Sequence, residues 1–283
     1  MAKKRYARPR RRGKKSKGKL KAIALSALIG AAAGALALAI YTNWERLATR
    51  LSVLLETDVK GAYTLPFEDV IGIDISYYQG DIDWDALQFH LNPGTRTLHK
   101  KRGEKTEERK VDFIIAKASE GVAMQDRKYA EYKRGAKEAG IVFGAYHFFI
   151  PGKSSSRQAA NFIEAANLKE GDLVPFLDVE KRGNLSGKQL RDGVLGWLQA
   201  VENHYGRKPV IYTSPSYYNA YFAEDKRFKP YKFWIAAYSR DTLPVNWLLW
   251  QQSEMGVVGG IKGFVDINVF SGSAIQFKKL KLT

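Results

Sequence analysis

The stretch VPFLDVE, Val174–Glu180, decides the fold: an apolar run leads into two acids, Asp178 and Glu180, with a loop-forming Gly183-Asn184 just beyond. A strand with one wet face alternates apolar and polar residues. A run without that alternation belongs to a sheet covered on both faces, the mark of parallel α/β architecture. Seven other runs share the texture: VIGIDIS (70–76), DFIIAKAS (112–119), VFGAYHFF (142–149), PVIYTS (209–214), FWIAAYS (233–239), LLWQQS (248–253) and VDINVFS (265–271). Amphipathic stretches between them predict helices over Tyr129–Ala139, closed by Gly140, over Ser155–Ala166, and over Ser186–His204, closed by Gly206. Eight strands alternating with helices that shrink toward the C-terminus predict an α/β fold, an irregular TIM-like β/α barrel with reduced late helices. The polar stretch 92–112 carries mixed charge and no periodicity, and predicts an exposed loop inserted between a first helix and the second strand.

In such a barrel the chemistry gathers at the C-terminal ends of the strands. Four carboxylates qualify: Asp74 in GIDIS, Asp178 and Glu180 in FLDVE, and Asp266 in VDINVF. Each lies in or at the end of an apolar run, where an unpaired charge is costly. Side chains at i and i+2 of a strand share a face about 7 Å apart, so Asp178 and Glu180 lean into one cleft. Like charges confined together raise the proton affinity of at least one, giving a protonated acid beside an ionised partner. Glycoside hydrolysis needs that division of labour. The plainer alternative has Asp74, Asp178 and Asp266 capping helices or pairing with Lys117, Lys181 or Arg182.

Aromatic residues Tyr77, Tyr78, Tyr146, Phe148, Tyr212, Trp234, Tyr238 and Trp250 fall at or near strand ends. Sugar rings present apolar C–H faces that stack on such side chains, although each taken singly suits a core better than a contact. Tyr78, Tyr146, Tyr212, Tyr238, Trp250 and Gln251 are the candidates for substrate contact. Gln79 and Gln252 are further hydrogen-bonding candidates for hydroxyl or acetamido groups. The chain has no cysteine, which excludes disulfides, thiolate metal sites and Cys nucleophiles. Its four histidines include no i, i+4 pair, so neither a metal nor another cofactor is expected, and His147 reads as a satisfied interior residue. There is no G-x-S-x-G, P-loop or strand-linked G-x-G-x-x-G to support hydrolase-elbow, nucleotide or dinucleotide chemistry.

From Val70 to Ser271 the chain resembles the glycoside hydrolase family 25 lysozymes, the Chalaropsis-type muramidases. The resemblance rests on GIDISYYQGDIDW (72–84), DFIIAKASEG (112–121), GAYHFF (144–149), FLDVE (176–180), IYTS (211–214), WIAAY (234–238) and LWQQSEMGVVGGIKGFVDINVF (249–270), in that order. It implies a flattened barrel that cleaves the β-1,4 bond between N-acetylmuramic acid and N-acetylglucosamine in peptidoglycan. It further implies that Glu180 is the general acid, that Asp178 orients or stabilises the substrate acetamido group or nearby positive charge, and that Asp74 and Asp266 complete an acidic floor. Tyr146, Tyr212 and Trp250 would line the sugar cleft. Net retention is implied too, with an enzyme carboxylate and the substrate's own acetamido group both open as nucleophile. Two other functions stay open: a catalytically silent peptidoglycan-binding scaffold, and a barrel glycosidase acting on chitin-like N-acetylated glycans.

The N-terminus differs in kind. Of the formal net charge of +17, twelve units come from Lys and Arg within residues 1–21, which hold no acid, leaving +5 for the rest. Residues 22–41, AIALSALIGAAAGALALAIY, carry no charge, a length that matches a membrane-crossing helix. The alternative is a signal peptide cleaved after Ala37-Leu38-Ala39. A basic leader stays cytoplasmic, so this reading places a single-pass span at 22–41, anionic lipid head groups against the tail, and the barrel on the cell-wall or periplasmic side. No nucleic-acid partner is expected. Residues 42–65 form a membrane-proximal stem, whose Trp44, Leu47, Leu51, Leu54 and Leu55 at helical spacing suit either the membrane surface or the barrel wall. The catalytic barrel spans 66–283, and tethering it suits remodelling of the cell's own wall.

Overall fold

The computed structural model describes residues 70–91, 107–238, 243–244 and 247–283. The expected tail, span and stem, and most of the 92–112 insertion, lie outside these. Among the described residues no helix is long and apolar enough to cross a membrane. Among the described residues eleven strands run in chain order: β1 (Ile71–Ile75), β2 (Gln88–Leu91), β3 (Glu107–Lys110), β4 (Phe113–Glu120), β5 (Met124–Gln125), β6 (Val142–Phe148), β7 (Phe176–Asp178), β8 (Val210–Thr213), β9 (Lys232–Ala236), β10 (Trp247–Gly256) and β11 (Val265–Phe270). Five helices accompany them: α1 (Tyr129–Glu138), α2 (Ser155–Ala166), α3 (Gly187–Tyr205), α4 (Pro215–Tyr221) and α5 (Ala274–Lys278).

Eight of the strands close a barrel in the order β1-β4-β6-β7-β8-β9-β10-β11, with β11 returning to β1. These are the eight apolar runs of the sequence. All neighbours are parallel except that β11 runs against both β10 and β1. The inversion follows from chain length: only residues 257–264 separate β10 from β11, too few for the dozen or more that a parallel crossover needs. That link folds back on the chain after β1. The amide of Asp83 donates to the Gly260 carbonyl (2.9 Å) and that of Gly259 to the Gln88 carbonyl (2.8 Å). Gly260 has φ +81° and a Cβ there would sit 2.2 Å from the Asp83 carbonyl oxygen, so only glycine fits.

The helices α1, α2 and α3 follow β4, β6 and β7 as the sequence predicts, and α4 with a short turn at Lys226–Phe228 follows β8. Contrary to expectation, residues 76–87 between β1 and β2 hold no α-helix. The region after β1 is instead a 3-10 turn, Tyr77–Gln79, and a hairpin in which β2 pairs antiparallel with β3, Gln88 opposite Lys110 and Leu91 opposite Glu107. The base of the insertion is therefore a ribbon rather than a loop. Periodicity missed it because Glu107–Lys110 is polar throughout and only Phe89 and Leu91, on β2, are buried.

The core packs between barrel and helices. His147 on β6 stacks on Trp197 of α3 (5.6 Å) and meets Phe162 of α2 edge-on (6.1 Å). The Gln158 side chain is fixed by bonds from the Ile150 amide to its oxygen and from its nitrogen to the Ile150 carbonyl. That oxygen faces His147 Nε2 (3.3 Å) while Ser119 Oγ meets Nδ1 (2.8 Å), an arrangement that suits the neutral ring. Burial pushes its pKa down to about 4, so His147 is a satisfied interior histidine. Under the barrel, Phe277 of α5 packs against Phe113 (5.1 Å) and Phe270 (5.2 Å) at the strand ends opposite the carboxylates. Phe277→Ala should cost about 3–5 kcal/mol, and thermal unfolding of the variant checks it.

Candidate active site

β1 carries Asp74 up to the mouth, one residue before its end, and β7 ends on Asp178. Asp266 reaches the same mouth because β11 is inverted: it is the second residue of a descending strand, directly opposite Asp74. Asp266 thus joins the mouth from the N-terminal end of its strand, as a cross-strand pair with Asp74. Past β7 the backbone stays bound to β8. The Val179 amide donates to the Tyr212 carbonyl (3.0 Å), and the Val179 carbonyl accepts from Thr213 Oγ1 (2.8 Å). Val179 is fully buried, Asp178 is buried on the mouth side, and Glu180 is exposed.

Asp74 is the hub. Its Oδ2 accepts from Gln251 Nε2 (2.9 Å) and Asn268 Nδ2 (2.7 Å). Each donor is itself held: Tyr212 hydroxyl donates to Gln251 Oε1 (3.0 Å), and Trp234 Nε1 donates to Asn268 Oδ1 (2.7 Å). Burial holds the proton affinity of Asp74 above the usual carboxylate value, although these two bonds and a third to Asp266 offset part of the rise. Asp266 is pushed up to about 9 by burial and by the Asp74 charge, so Asp266 carries the proton of the pair and Asp74 the charge. Asp178 is also raised well above the usual carboxylate range, first by burial and then by the charges of Glu180 and Asp74. Its Oδ1 is buried and, among the described residues, has no hydrogen-bond partner. A buried polar atom of that kind calls for a ligand.

The alternative of structural ion pairs does not hold for the three aspartates. Among the described residues no Lys or Arg lies in ion-pair range of Asp74, Asp178 or Asp266, and Lys117 pairs instead with Glu120 (2.6 Å). Lys117 and Lys181 both sit over the Phe148 ring, at 5.0 and 5.2 Å.

The predicted sugar-contact residues separate into groups. Tyr146 is half-buried, and its hydroxyl proton is held by burial and by the charges of Asp74, Asp178 and Asp266, which places it beside all three. Tyr78 is 76% exposed on the turn after β1. Tyr238 is exposed and its hydroxyl donates to Glu254 (3.1 Å). Tyr212 and Gln251 are committed to holding Asp74. Trp250 is buried, and its Nε1 donates to the Ala237 carbonyl (2.5 Å), so its ring belongs to the wall and offers no open face to a sugar. Gln79 is likewise structural, its side-chain oxygen accepting from the Ser76 amide (2.8 Å). Asn268 was missed by the sequence reading. The signal available was its i+2 spacing from Asp266, which puts both on one face of β11.

A closed barrel whose mouth gathers three aspartates without an ion pair among the described residues, one neutral and one charged within a hydrogen-bonded pair, has the arrangement a glycoside hydrolase needs. The model of glycosyl hydrolases family 25 matches residues 73–261. YegX of Escherichia coli (strain K12) is 37% identical over 73% of this chain and 71% of its own length. Lysozyme M1 of Streptomyces globisporus is 30% identical over 75% of this chain and 71% of its own. The crystal structure of the bacterial lysozyme from Streptomyces coelicolor superimposes with a TM-score of 0.64 at 29% identity, covering 76% of this chain and 98% of that one. The chain belongs to glycosyl hydrolase family 25, and it is a glycoside hydrolase of the lysozyme, or muramidase, type.

The raised carboxyl predicts a pH signature. Asp266 keeps its proton in the folded state up to about pH 9 and loses it in the unfolded chain near pH 4, so its contribution to stability is lost progressively as pH rises between those values. Asp266→Asn mimics the protonated form. It should therefore raise the melting temperature relative to the unaltered protein more at pH 8 than at pH 5, as thermal unfolding at the two pH values will report.

Proposed function

We propose that this chain cleaves the β-1,4 bond between N-acetylmuramic acid and N-acetylglucosamine in peptidoglycan, with Glu180 as general acid, while held at the membrane by residues 22–41. The observation that carries the chemistry is the buried, unpartnered Oδ1 of Asp178 beside the charge of Glu180. In the free enzyme burial and crowding favour a proton on Asp178. A substrate acetamido N–H brought to Asp178 Oδ1 favours the ionised form of Asp178. Its charge then raises the proton affinity of Glu180. Substrate binding thus moves the shared proton to the exposed carboxyl, where it meets the departing glycosidic oxygen. Asp178 is left ionised to hold the acetamido group as positive charge develops at the anomeric carbon. Asp74 and its protonated partner Asp266 keep the site negative overall without placing four charges together.

Support for the tether is the charge-free stretch of 20 residues following twelve basic ones, an arrangement that retains the leader in the cytoplasm and exports the barrel. Protease added to intact spheroplasts is expected to remove the barrel and spare the leader.

Glu180→Gln is expected to lower the release of reducing ends from purified peptidoglycan about 100- to 10,000-fold while the folded protein still co-sediments with wall sacculi. Turnover near that of the unaltered protein would remove Glu180 from the acid's role. Hydrolysis of peptidoglycan without hydrolysis of chitin oligomers separates a muramidase from a general N-acetylglycan hydrolase, and co-sedimentation without turnover by the unaltered protein would identify a scaffold.

A further inference from the structure

The barrel has a second charged end. β1 ascends from the floor to the mouth, so the chain enters at the floor, where the Val70 carbonyl accepts from the Phe270 amide (3.0 Å). Segment 274–283 lies across this floor. Phe277 and Leu282 are buried, whereas Lys278 and Lys279 are exposed and Ile275 is 73% exposed. Arg207 locks the segment down by donating to the Lys279 carbonyl (2.6 Å) and the Lys281 carbonyl (2.9 Å). Beside it a cavity of about 400 Å³ is lined by Val174, Arg207, Lys208, Lys232, Leu248 and Leu280, with Glu202 among its walls.

The acids at this end are largely spoken for. Glu202 pairs with Lys208 (2.5 Å), and Asp172 pairs with Lys133 (3.2 Å) and Lys137 (2.9 Å). Glu170 is exposed next to Gly171, whose amide donates to the Leu282 carbonyl. Among the described residues, Lys232, Lys278 and Lys279 are in none of the side-chain ion pairs.

We propose that this floor docks on an anionic lipid bilayer, with phosphate head groups on Lys232, Lys278 and Lys279 and Ile275 entering the interface, so that the mouth points away from the membrane. The inference builds on the membrane-tethered reading. Three features favour a bilayer over a soluble polyanion. An aliphatic side chain among lysines gains by leaving water at the head-group boundary, as interfacial segments do. Surface lysines gain from anionic head groups over a Debye length. The described chain enters β1 at this same face, at Val70, and 28 residues separate it in sequence from Tyr41.

Because the chain has no cysteine, a single one can report position. The full chain carrying Thr283→Cys, at the floor, or Lys262→Cys, on the mouth-side link, is labelled with an environment-sensitive fluorophore. It is reconstituted into mixed phosphatidylglycerol and phosphatidylcholine vesicles, or into phosphatidylcholine alone. Spin-labelled lipid should quench position 283 and spare position 262 on the mixed vesicles. Quenching should fall on neutral vesicles and in 1 M salt, where the Debye length is about 3 Å. Lys278→Ala with Lys279→Ala should reduce the docked-to-undocked ratio about fivefold per lysine and leave hydrolysis of soluble glycan fragments unchanged. Equal quenching of the two positions, quenching indifferent to lipid charge, or the same spectral change with soluble polyphosphate or DNA would overturn the docking. A chain that fails to stay with vesicles overturns the tether instead. In that case preferential quenching of position 283 on added anionic vesicles still sustains the docking, and its absence overturns it.

Discussion

The hydrogen bonds that converge on Asp74 Oδ2 are what the working end of this protein depends on. A carboxylate buried at the mouth of a barrel is sustainable only if its charge is answered, and no lysine or arginine among the described residues answers this one. Gln251 and Asn268 do so with amide donors, and each amide is fixed by a second bond, to Tyr212 and to Trp234. Neutral donors lower the cost of the charge without cancelling its field. Burial together with the remaining field holds a proton on Asp266, and the same field adds to the proton affinity of Asp178. A salt bridge in the same place would have quenched both effects.

The barrel's closure makes this arrangement possible. Asp74 and Asp266 face each other because β11 runs opposite to its neighbours, and it does so because the link from β10 is too short to cross over. The same inversion sends the C-terminus down to the floor, where Phe277 plugs the end and the lysines after it stay in water. One topological choice therefore sets both the acidic mouth and the basic floor.

Much of this was legible in the primary structure. The eight barrel strands were readable because strands buried on both faces need unbroken apolar runs, and three of the helices were readable from amphipathic spacing, two of them closed by Gly140 and Gly206. Asp74, Asp178, Glu180 and Asp266 stood out as acids that an apolar run tolerates only for a reason. The β2–β3 ribbon escaped notice because its second strand is polar throughout. Asn268 and the true places of Trp250, Gln79 and Gln251 escaped as well, since a side chain between two strands can turn to substrate, to a backbone carbonyl or to another side chain without any change in pattern.

By itself the sequence determined the number and chain order of the eight barrel strands, the set of acids and the charge-free stretch ahead of the barrel, because these follow from local hydrophobicity and charge. Only the tertiary structure decided which acid holds a proton, which donors support the charged one and which aromatic rings are walls. Those depend on distance and burial between residues up to 194 positions apart, such as Asp74 and Asn268, and the chain brings such residues together only when the barrel closes.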